Sequence, residues 1–423
     1  MSHILITFIG KGEKDSDDLY KSEKYHFEDD DKEPYYETNF FGSAVFQYLK
    51  NNGKKPNKFV VLGTPSSMWN GLFELKGEPG SQYEDKWAEL SEVIEDNTIY
   101  PEDEEKEKAK VERFFPILEE FLNQYLGDIE CKLHVIPYGE TQTTQIAILE
   151  KIAECVNKKD TVSLDITHGL RHLPMLTVLS AMYLEVVKKV TIDGIYYGAE
   201  GIKNRNEGIV RALNLKGLLG IAHWVGALKS FEKDSDYGVF AELLENDGLT
   251  IKQTKPLKEA AFFEHIFNVS RAARKLTTFR NNVPENLPGI GYLFTDTLKN
   301  RTEWSEKNNV YIRQRVLAYS FLGKQDYPRA AIFAVEAFIT HLCKQNNSDT
   351  GDYHQRKATE YDFLDGNLSE TEKIADFELL KKIRNTMVHV NEPRDEVKDL
   401  LESKNPQQQL EKELKKLIKR LLP

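Results

Sequence analysis

Four short apolar runs in the first 170 residues each end in a loop of small or hydrogen-bonding residues, and helical patterns separate them. His3–Ile9 runs into Gly10-Lys11-Gly12, and Lys58–Leu62 into Gly63-Thr64-Pro65-Ser66-Ser67. Lys132–Pro137 runs into Tyr138-Gly139-Glu140-Thr141, and Thr161–Ile166 into Thr167-His168-Gly169-Leu170-Arg171. Between them, Asn39–Lys50 carries Phe40, Phe41, Val45, Phe46 and Leu49 near helical spacing and stops at Asn51-Asn52-Gly53. Residues 84–126, broken by an acidic loop around Pro101–Glu105, also read as helix, as do 142–157 and 172–188. Val190–Tyr197 and Ile209–Leu213 add two strands across a polar turn. Strands alternating with helices predict a parallel sheet covered by helices on both faces. The acidic stretch 13–38, with Asp29-Asp30-Asp31, reads as an irregular insertion or an exposed hairpin. Open sheets of this class hold ligands beyond the carboxyl ends of their strands, so the four loops form the first candidate site.

From about Leu215 the strand patterns fade. Residues 215–246 and 253–280 read as helices with apolar stripes, and 281–289 as a loop. Four more helices are predicted over 305–323, 327–345, 371–390 and 406–421. The expected organisation is an α/β domain over 1–213, a helical linker region over 214–300 and an all-α domain over 301–423. No internal repeat stands out.

Bulk properties narrow the function. The 423 residues carry 57 Lys+Arg against 68 Asp+Glu, a net charge of −11. A protein that grips duplex nucleic acid by its phosphates is normally basic, so stable duplex DNA binding is not expected. A small local RNA site remains compatible with that charge. Cys131, Cys155 and Cys343 are scattered and odd in number, with neither a metal-ligand spacing nor a disulfide framework. No apolar run approaches the length of a membrane span, and His3–Ile9 is too short for a signal h-region and lacks a basic lead. A cytoplasmic chain without a membrane partner is expected.

The second candidate site is Arg384-Asn385-Thr386-Met387-Val388-His389, near a predicted helix end before Asn391-Glu392-Pro393. A histidine near its ordinary pKa can move protons at neutral pH, and an arginine can hold a phosphate and offset the charge of a transition state. Asn385 can position the histidine or a phosphate oxygen. With a ribose 2′-hydroxyl as nucleophile, RNA cleavage would need no metal and no cofactor. Five residues is about 140° around a helix, so the two side chains do not share a face. A joint site requires a distorted helix end, a long Arg reach or a second copy of the motif across a two-fold axis. The plain alternative is a solvated helix end with a capping cation. Glu336 is a candidate to orient Arg384 by a salt bridge, or to form an unrelated structural pair.

Arg384-Asn385 followed by three residues and His389 is similar to the Arg-x4–6-His signature of HEPN ribonucleases, with the usual polar residue after the arginine. A helical unit with the motif on a late helix also resembles HEPN. The α/β half resembles a CARF domain, the Rossmann-like sensor of CRISPR systems. Ser163-Leu164-Asp165-Ile166-Thr167-His168-Gly169-Leu170-Arg171-His172-Leu173-Pro174 looks like its signature after the fourth strand, and Val61–Trp69 like a second family loop. The resemblance spans nearly the whole chain and implies a CARF–HEPN ancillary ribonuclease of type III CRISPR systems. It implies a cyclic oligoadenylate activator, with four adenylates favoured over six, and a homodimer with ligand across the CARF two-fold. It implies a composite HEPN site that cleaves single-stranded RNA.

A ring of phosphates and adenines needs backbone N–H donors, helix N-termini and a few cationic or hydroxyl groups. On that basis Gly10, Lys11, Thr64, Ser66, Ser67, Tyr138, Glu140, Thr141, Thr167, His168, Gly169 and Arg171 are the expected ligand contacts. Each has a plainer role open to it, such as capping the following helix. Trp69 is open between stacking on a base and packing in the core. Two alternatives stand beside the ribonuclease: a non-enzymatic ligand-binding regulator, and a sensor that also cleaves its own cyclic ligand through the threonine-and-histidine loop.

Overall fold

Alternate residues of the first strand face opposite ways, and both sets are apolar. In β1 (His3–Ile9), Ile4, Ile6 and Phe8 enter one core, while Leu5 and Ile9 enter another. A strand buried on both faces must lie inside a sheet with helices on each side. The computed structural model describes residues 2–16, 18–97, 104–204, 208–366, 370–389, 392–393 and 395–422. They form two units, Met1–Leu219 and Gly220–Pro423.

The N-terminal unit holds one eight-stranded sheet. After β1 come β2 (Glu23–Phe27), β3 (Tyr36–Thr38), β4 (Lys58–Gly63), β5 (Glu130–Val135), β6 (Thr161–Asp165), β7 (Thr191–Asn204) and β8 (Ile209–Asn214). The spatial order is β3-β2-β8-β7-β6-β1-β4-β5. β5, β4, β1, β6 and β7 run parallel, whereas β7–β8 and β2–β3 are antiparallel. The sheet is therefore mixed where the sequence pattern suggested a parallel one. The chain winds from β1 outward through β4 to β5, then returns to the other side of β1 as β6, and that reversal places a topological switch point between β1 and β6.

The helices of this unit are α1 (Phe41–Asn51), α2 (Glu84–Asp96), α3 (Glu104–Glu112), α4 (Phe115–Leu126), α5 (Gln142–Glu154) and α6 (Leu173–Tyr183). α1 and α4 pack on one face of the sheet, and α5 and α6 on the other. Part of the acidic loop expected at Pro101–Glu105 lies outside the described residues. The stretch 13–38 is not a loose insertion. Its β2 pairs in parallel with β8, and Phe27 stacks on Tyr48 of α1 with ring centroids 4.1 Å apart. Such a pair contributes about 1 kcal/mol beyond its buried area.

The C-terminal unit is helical. α7 (Gly217–Asp234) begins at the unit boundary, and α8 (Ala241–Asn246), α9 (Ile251–His265), α10 (Val269–Asn282) and α11 (Thr295–Thr302) follow. The segment read as one helix over 253–280 is broken at Ile266–Asn268, where Phe267 takes a positive φ and Asn268 caps α10. Then come α12 (Val310–Gly323), α13 (Tyr327–Gln345), α14 (Tyr353–Leu364), α15 (Thr371–His389), α16 (Asp395–Leu401) and α17 (Pro406–Leu421). One apolar cluster runs from Trp224 to Leu422. Within 214–300, read from the sequence as a helical linker region, Trp224, Phe240, Leu257 and Leu276 belong to that same core. No helix among the described residues is long and apolar enough to cross a membrane.

Candidate functional site

The four strand-end loops converge. A cavity of about 190 Å³ is lined by Ile9, Gly10, Lys11, Thr64, Ser66, Ser67, Tyr138, Gly169 and Leu170. These residues follow β1, β4, β5 and β6, so the hollow sits at the switch point that the winding of the sheet creates. Seven of the twelve expected contact residues line it.

Glycine makes the convergence possible. A Cβ on Gly10 would stand 2.4 Å from the Gly169 nitrogen, so the loops after β1 and β6 touch backbone to backbone. Gly169 itself has φ +103°, a conformation that side chains disfavour. Both positions are thus set by geometry; Gly169 is exposed to a ligand, and Gly10 is buried beside it.

The wall after β4 is held rigid. Ser67 Oγ accepts from the Thr64 N–H at 2.9 Å and contacts Thr64 Oγ1 at 3.1 Å. Trp69 is fully buried, donates from Nε1 to the Thr64 carbonyl and packs on Phe115. It is a core residue, which closes the base-stacking alternative. The Tyr138 hydroxyl donates to Ser66 Oγ at 3.3 Å. The loop after β5 is tied to that after β6 by His172, whose Nε2 donates to the Tyr138 carbonyl at 2.7 Å. His172 stands within the quoted signature but is not among the expected contacts. Thr141 caps α5 in a reciprocal pair with Thr144, and Glu140 beside it is exposed.

The loop after β6 is anchored from below. Asp165 is fully buried, accepting from Thr7 Oγ1 at 2.5 Å and from the Thr167 N–H at 2.8 Å. Burial pushes its pKa up to about 6. Thr167 Oγ1 accepts from the Gly198 N–H at 2.8 Å, binding the loop to β7. His168 Nε2 accepts from the Phe41 N–H at 3.3 Å, and its ring lies over Phe40. Burial lowers its pKa to about 4. His168 is therefore neutral at pH 7, with its proton on Nδ1. Any contact it makes with a phosphate is a neutral hydrogen bond, not a charge pair. Positive charge comes instead from Lys11 and Arg171, both exposed and, among the described residues, both without an ion-pair partner.

The Arg384–His389 segment is built differently. It forms the last turns of α15, which stays helical through His389. The distorted helix end that would bring the two side chains together is absent. Ile383 anchors the helix in the core at 1% exposure, Arg384 is half-buried, and His389 is exposed. Arg384 Nε is buried without a hydrogen-bond partner. Glu336 does not serve it, because Glu336 pairs with Arg356 at 2.6 Å. α13 and α15 run antiparallel, since His341 faces Lys373 and Phe338 packs on Phe377 with ring centroids 4.8 Å apart. That register sets the motif level with the start of α13, where the Tyr327 hydroxyl is also buried without a partner. Sequence reasoning missed Tyr327, and nothing in its local pattern signals it. Among the described residues no group of three or more His, Cys, Asp or Glu is arranged to hold a metal ion.

A doubly covered sheet with glycine-lined loops meeting at its switch point defines a ligand-binding domain of the Rossmann-like class. Residues 4–201 match the family model described as CRISPR system endoribonuclease Csx1, CARF domain, and that span includes all four loops. The likeness to a CARF domain is one of the N-terminal unit. The chain is 27% identical over 264 residues to CRISPR-associated protein MJ1674 of Methanocaldococcus jannaschii, an alignment covering 60% of this chain and 40% of that relative.

Proposed function

We propose that this protein is a cyclic-oligoadenylate-activated, metal-independent endoribonuclease of type III CRISPR defence, acting on single-stranded RNA in the cytoplasm. The carrying observation is the backbone contact of Gly10 with Gly169 at the switch point, flanked by the unpaired cations Lys11 and Arg171. The exposed Gly169 backbone and two cations suit a phosphate-rich ring. Thr64, Ser66, Ser67 and Tyr138 supply hydroxyls, Glu140 and Thr141 the α5 rim, and Thr167 and neutral His168 the loop that fixes Gly169.

The ligand is shared between two copies of the chain. One cavity of about 190 Å³ is below the range of about 300–1,000 Å³ usual for small-molecule sites. Beside it, α5, α6 and the turn after α6 expose Ile146, Met175, Leu179, Tyr183, Val186 and Val187. An apolar face of this kind suits a two-fold partner, which would double the cavity. A cyclic tetra-adenylate, four-fold repetitive, divides evenly over such an axis.

Catalysis rests on Arg384, Asn385 and His389. Arg384 binds the scissile phosphate, His389 takes the 2′-hydroxyl proton or returns one to the leaving oxygen, and Asn385 orients them. Because the two key side chains point apart on a regular helix, a second copy of the motif completes the site. The test is cleavage of a labelled single strand in EDTA, with cyclic tetra- or hexa-adenylate, by wild type and His389→Ala. Ligand-dependent cleavage by wild type alone is expected. Cleavage indifferent to both ligands overturns the gating, and full activity in His389→Ala overturns the catalytic assignment.

A further inference from the structure

Helices α9 and α10 carry a charge unlike the rest of the chain. Ile251–Asn282 holds seven Lys and Arg against two acids, a net +5, whereas the whole chain stands at −11. One of those acids, Glu264, is 1% exposed, which leaves Glu259 as the one carboxylate of this segment that is not buried.

The spacing puts the cations on one surface. Along α9, Lys255, Phe262 and Ile266 are exposed at intervals of seven and four residues, a single helical stripe, while Leu257, Ala260 and Ala261 turn into the core. Along α10, Arg271, Arg274 and Thr278 are exposed at intervals of three and four, while Ala272, Ala273 and Leu276 turn inward. Two contacts join the stripes across the helix pair. Lys275 Nζ lies 2.6 Å from the Glu259 carboxylate, and the Arg271 guanidinium stands over the Phe263 ring, 5.4 Å from its centroid. Phe263 in turn meets Phe262 edge to face, with centroids 5.4 Å apart. Among the described residues, Lys252, Lys258, Arg271 and Arg274 have no ion-pair partner. Like charges at this density repel one another, and an anion laid along them removes that cost. Phe262 is 58% exposed in their midst, so an aromatic face is open beside the cations.

We infer that this surface docks single-stranded RNA, with Lys258, Arg271 and Arg274 on phosphates and a base stacked on Phe262. Cations with an open ring among them suit a single strand, because only an unpaired base has its faces free to stack. A duplex hides those faces. A membrane surface fits worse, since the main apolar stripe of each helix is already packed in the core. The inference deepens the nuclease reading by naming where the strand is held outside the Arg384–His389 segment, and it rests on that reading for the choice of RNA.

The test follows a labelled single-stranded decaribonucleotide, and its duplex with the complementary strand, by fluorescence anisotropy on the full chain in the His389→Ala background. Arg271→Glu/Arg274→Glu is expected to weaken binding of the single strand at least about tenfold. It should also reduce the slope of log affinity against log salt by about 1.4, two phosphates at about 0.7 each. A matched reversal of exposed cations elsewhere, Lys415→Glu/Lys419→Glu on α17, is expected to change affinity by less than about threefold. Phe262→Ala is expected to lose about tenfold for the single strand and nothing for the duplex. No binding of the single strand, or equal loss in the two charge reversals, overturns the inference. So does a duplex or a polyglutamate peptide bound as tightly as the single strand. With His389 intact, absence of cleavage by the wild type under either cyclic oligoadenylate defeats the nuclease reading alone. Cleavage with an unchanged KM in Arg271→Glu/Arg274→Glu defeats the docking surface alone.

Discussion

The two candidate sites differ in how much of each lies within one chain. At the switch point, Gly10 and Gly169 touch through their backbones, Ser67 locks Thr64, His172 locks Tyr138, and Asp165 anchors the loop after β6. Among the described residues, the cations Lys11 and Arg171 there have no ion-pair partner. At the end of α15 the pattern reverses. Arg384 has a buried unpartnered Nε, the nearby helix start has an unpartnered Tyr327 hydroxyl, and His389 stands in solvent. On the proposed reading such a contrast suits a switch, with a preorganised surface for the ligand and a catalytic one completed from outside the chain.

Substitutions at the unfinished site should be the most severe for chemistry and the mildest for the fold. His389→Ala is expected to lose at least about 100-fold in RNA cleavage, the lower range for general acid–base catalysis, with melting temperature and ligand affinity unchanged. Substitutions in the preorganised site should do the opposite. Gly10→Val places carbon 2.4 Å from the Gly169 nitrogen, so it should abolish ligand binding and lower the melting temperature by several degrees. A Gly10→Val chain that binds normally would break the convergence argument.

The apolar face tests how the unfinished site is completed. Leu179→Glu, at a position 55% exposed, should leave the fold intact and shift the chain to a monomer in light scattering, with loss of cleavage. Smaller effects are expected from the cations. Lys11→Ala and Arg171→Ala should each weaken ligand binding by about tenfold and flatten its salt dependence, as measured by titration at two ionic strengths.

The smallest effect is in pH. His168 has its pKa lowered to about 4 from 6.5, so its contribution to stability is complete above pH 6.5 and lost as pH falls towards 4. Asp165 has its pKa raised to about 6 from 3.8, so it adds stability as pH falls through that same window. Each shift corresponds to roughly 3 kcal/mol at most, and the two oppose. His168→Gln removes one side. Relative to wild type, its unfolding free energy should rise as pH falls from 6.5 to 5, and an unchanged difference would show that the His168 ring is not held neutral.

Much of the candidate site was legible because its parts are local. β1, β4, β5 and β6 are apolar runs, and each ends in small or polar residues. What escaped is non-local. Glu23–Phe27 reads as polar, and its pairing with the distant β8 and the packing of Tyr25 and Phe27 on Phe41 and Tyr48 make it a sheet strand. α14 is mostly polar, with Thr359 its one fully buried residue, so no apolar stripe announces it. Without α14 there is no Arg356 to claim Glu336, so the sequence leaves Glu336 open between Arg384 and an unrelated structural pair. The neutrality of His168 also arises from residues far off in sequence, Phe40 and Phe41.

The central claim is that the catalytic site is finished only by a second copy of the chain, and subunit mixing tests it directly. Arg384→Ala and His389→Ala chains, each inactive alone, are co-expressed, and the mixed dimer is assayed for RNA cleavage with cyclic tetra-adenylate. Recovery of a clear fraction of wild-type activity is predicted, because one chain then supplies Arg384 and the other His389. A mixed dimer as inactive as either parent would contradict the account and place each site within a single chain.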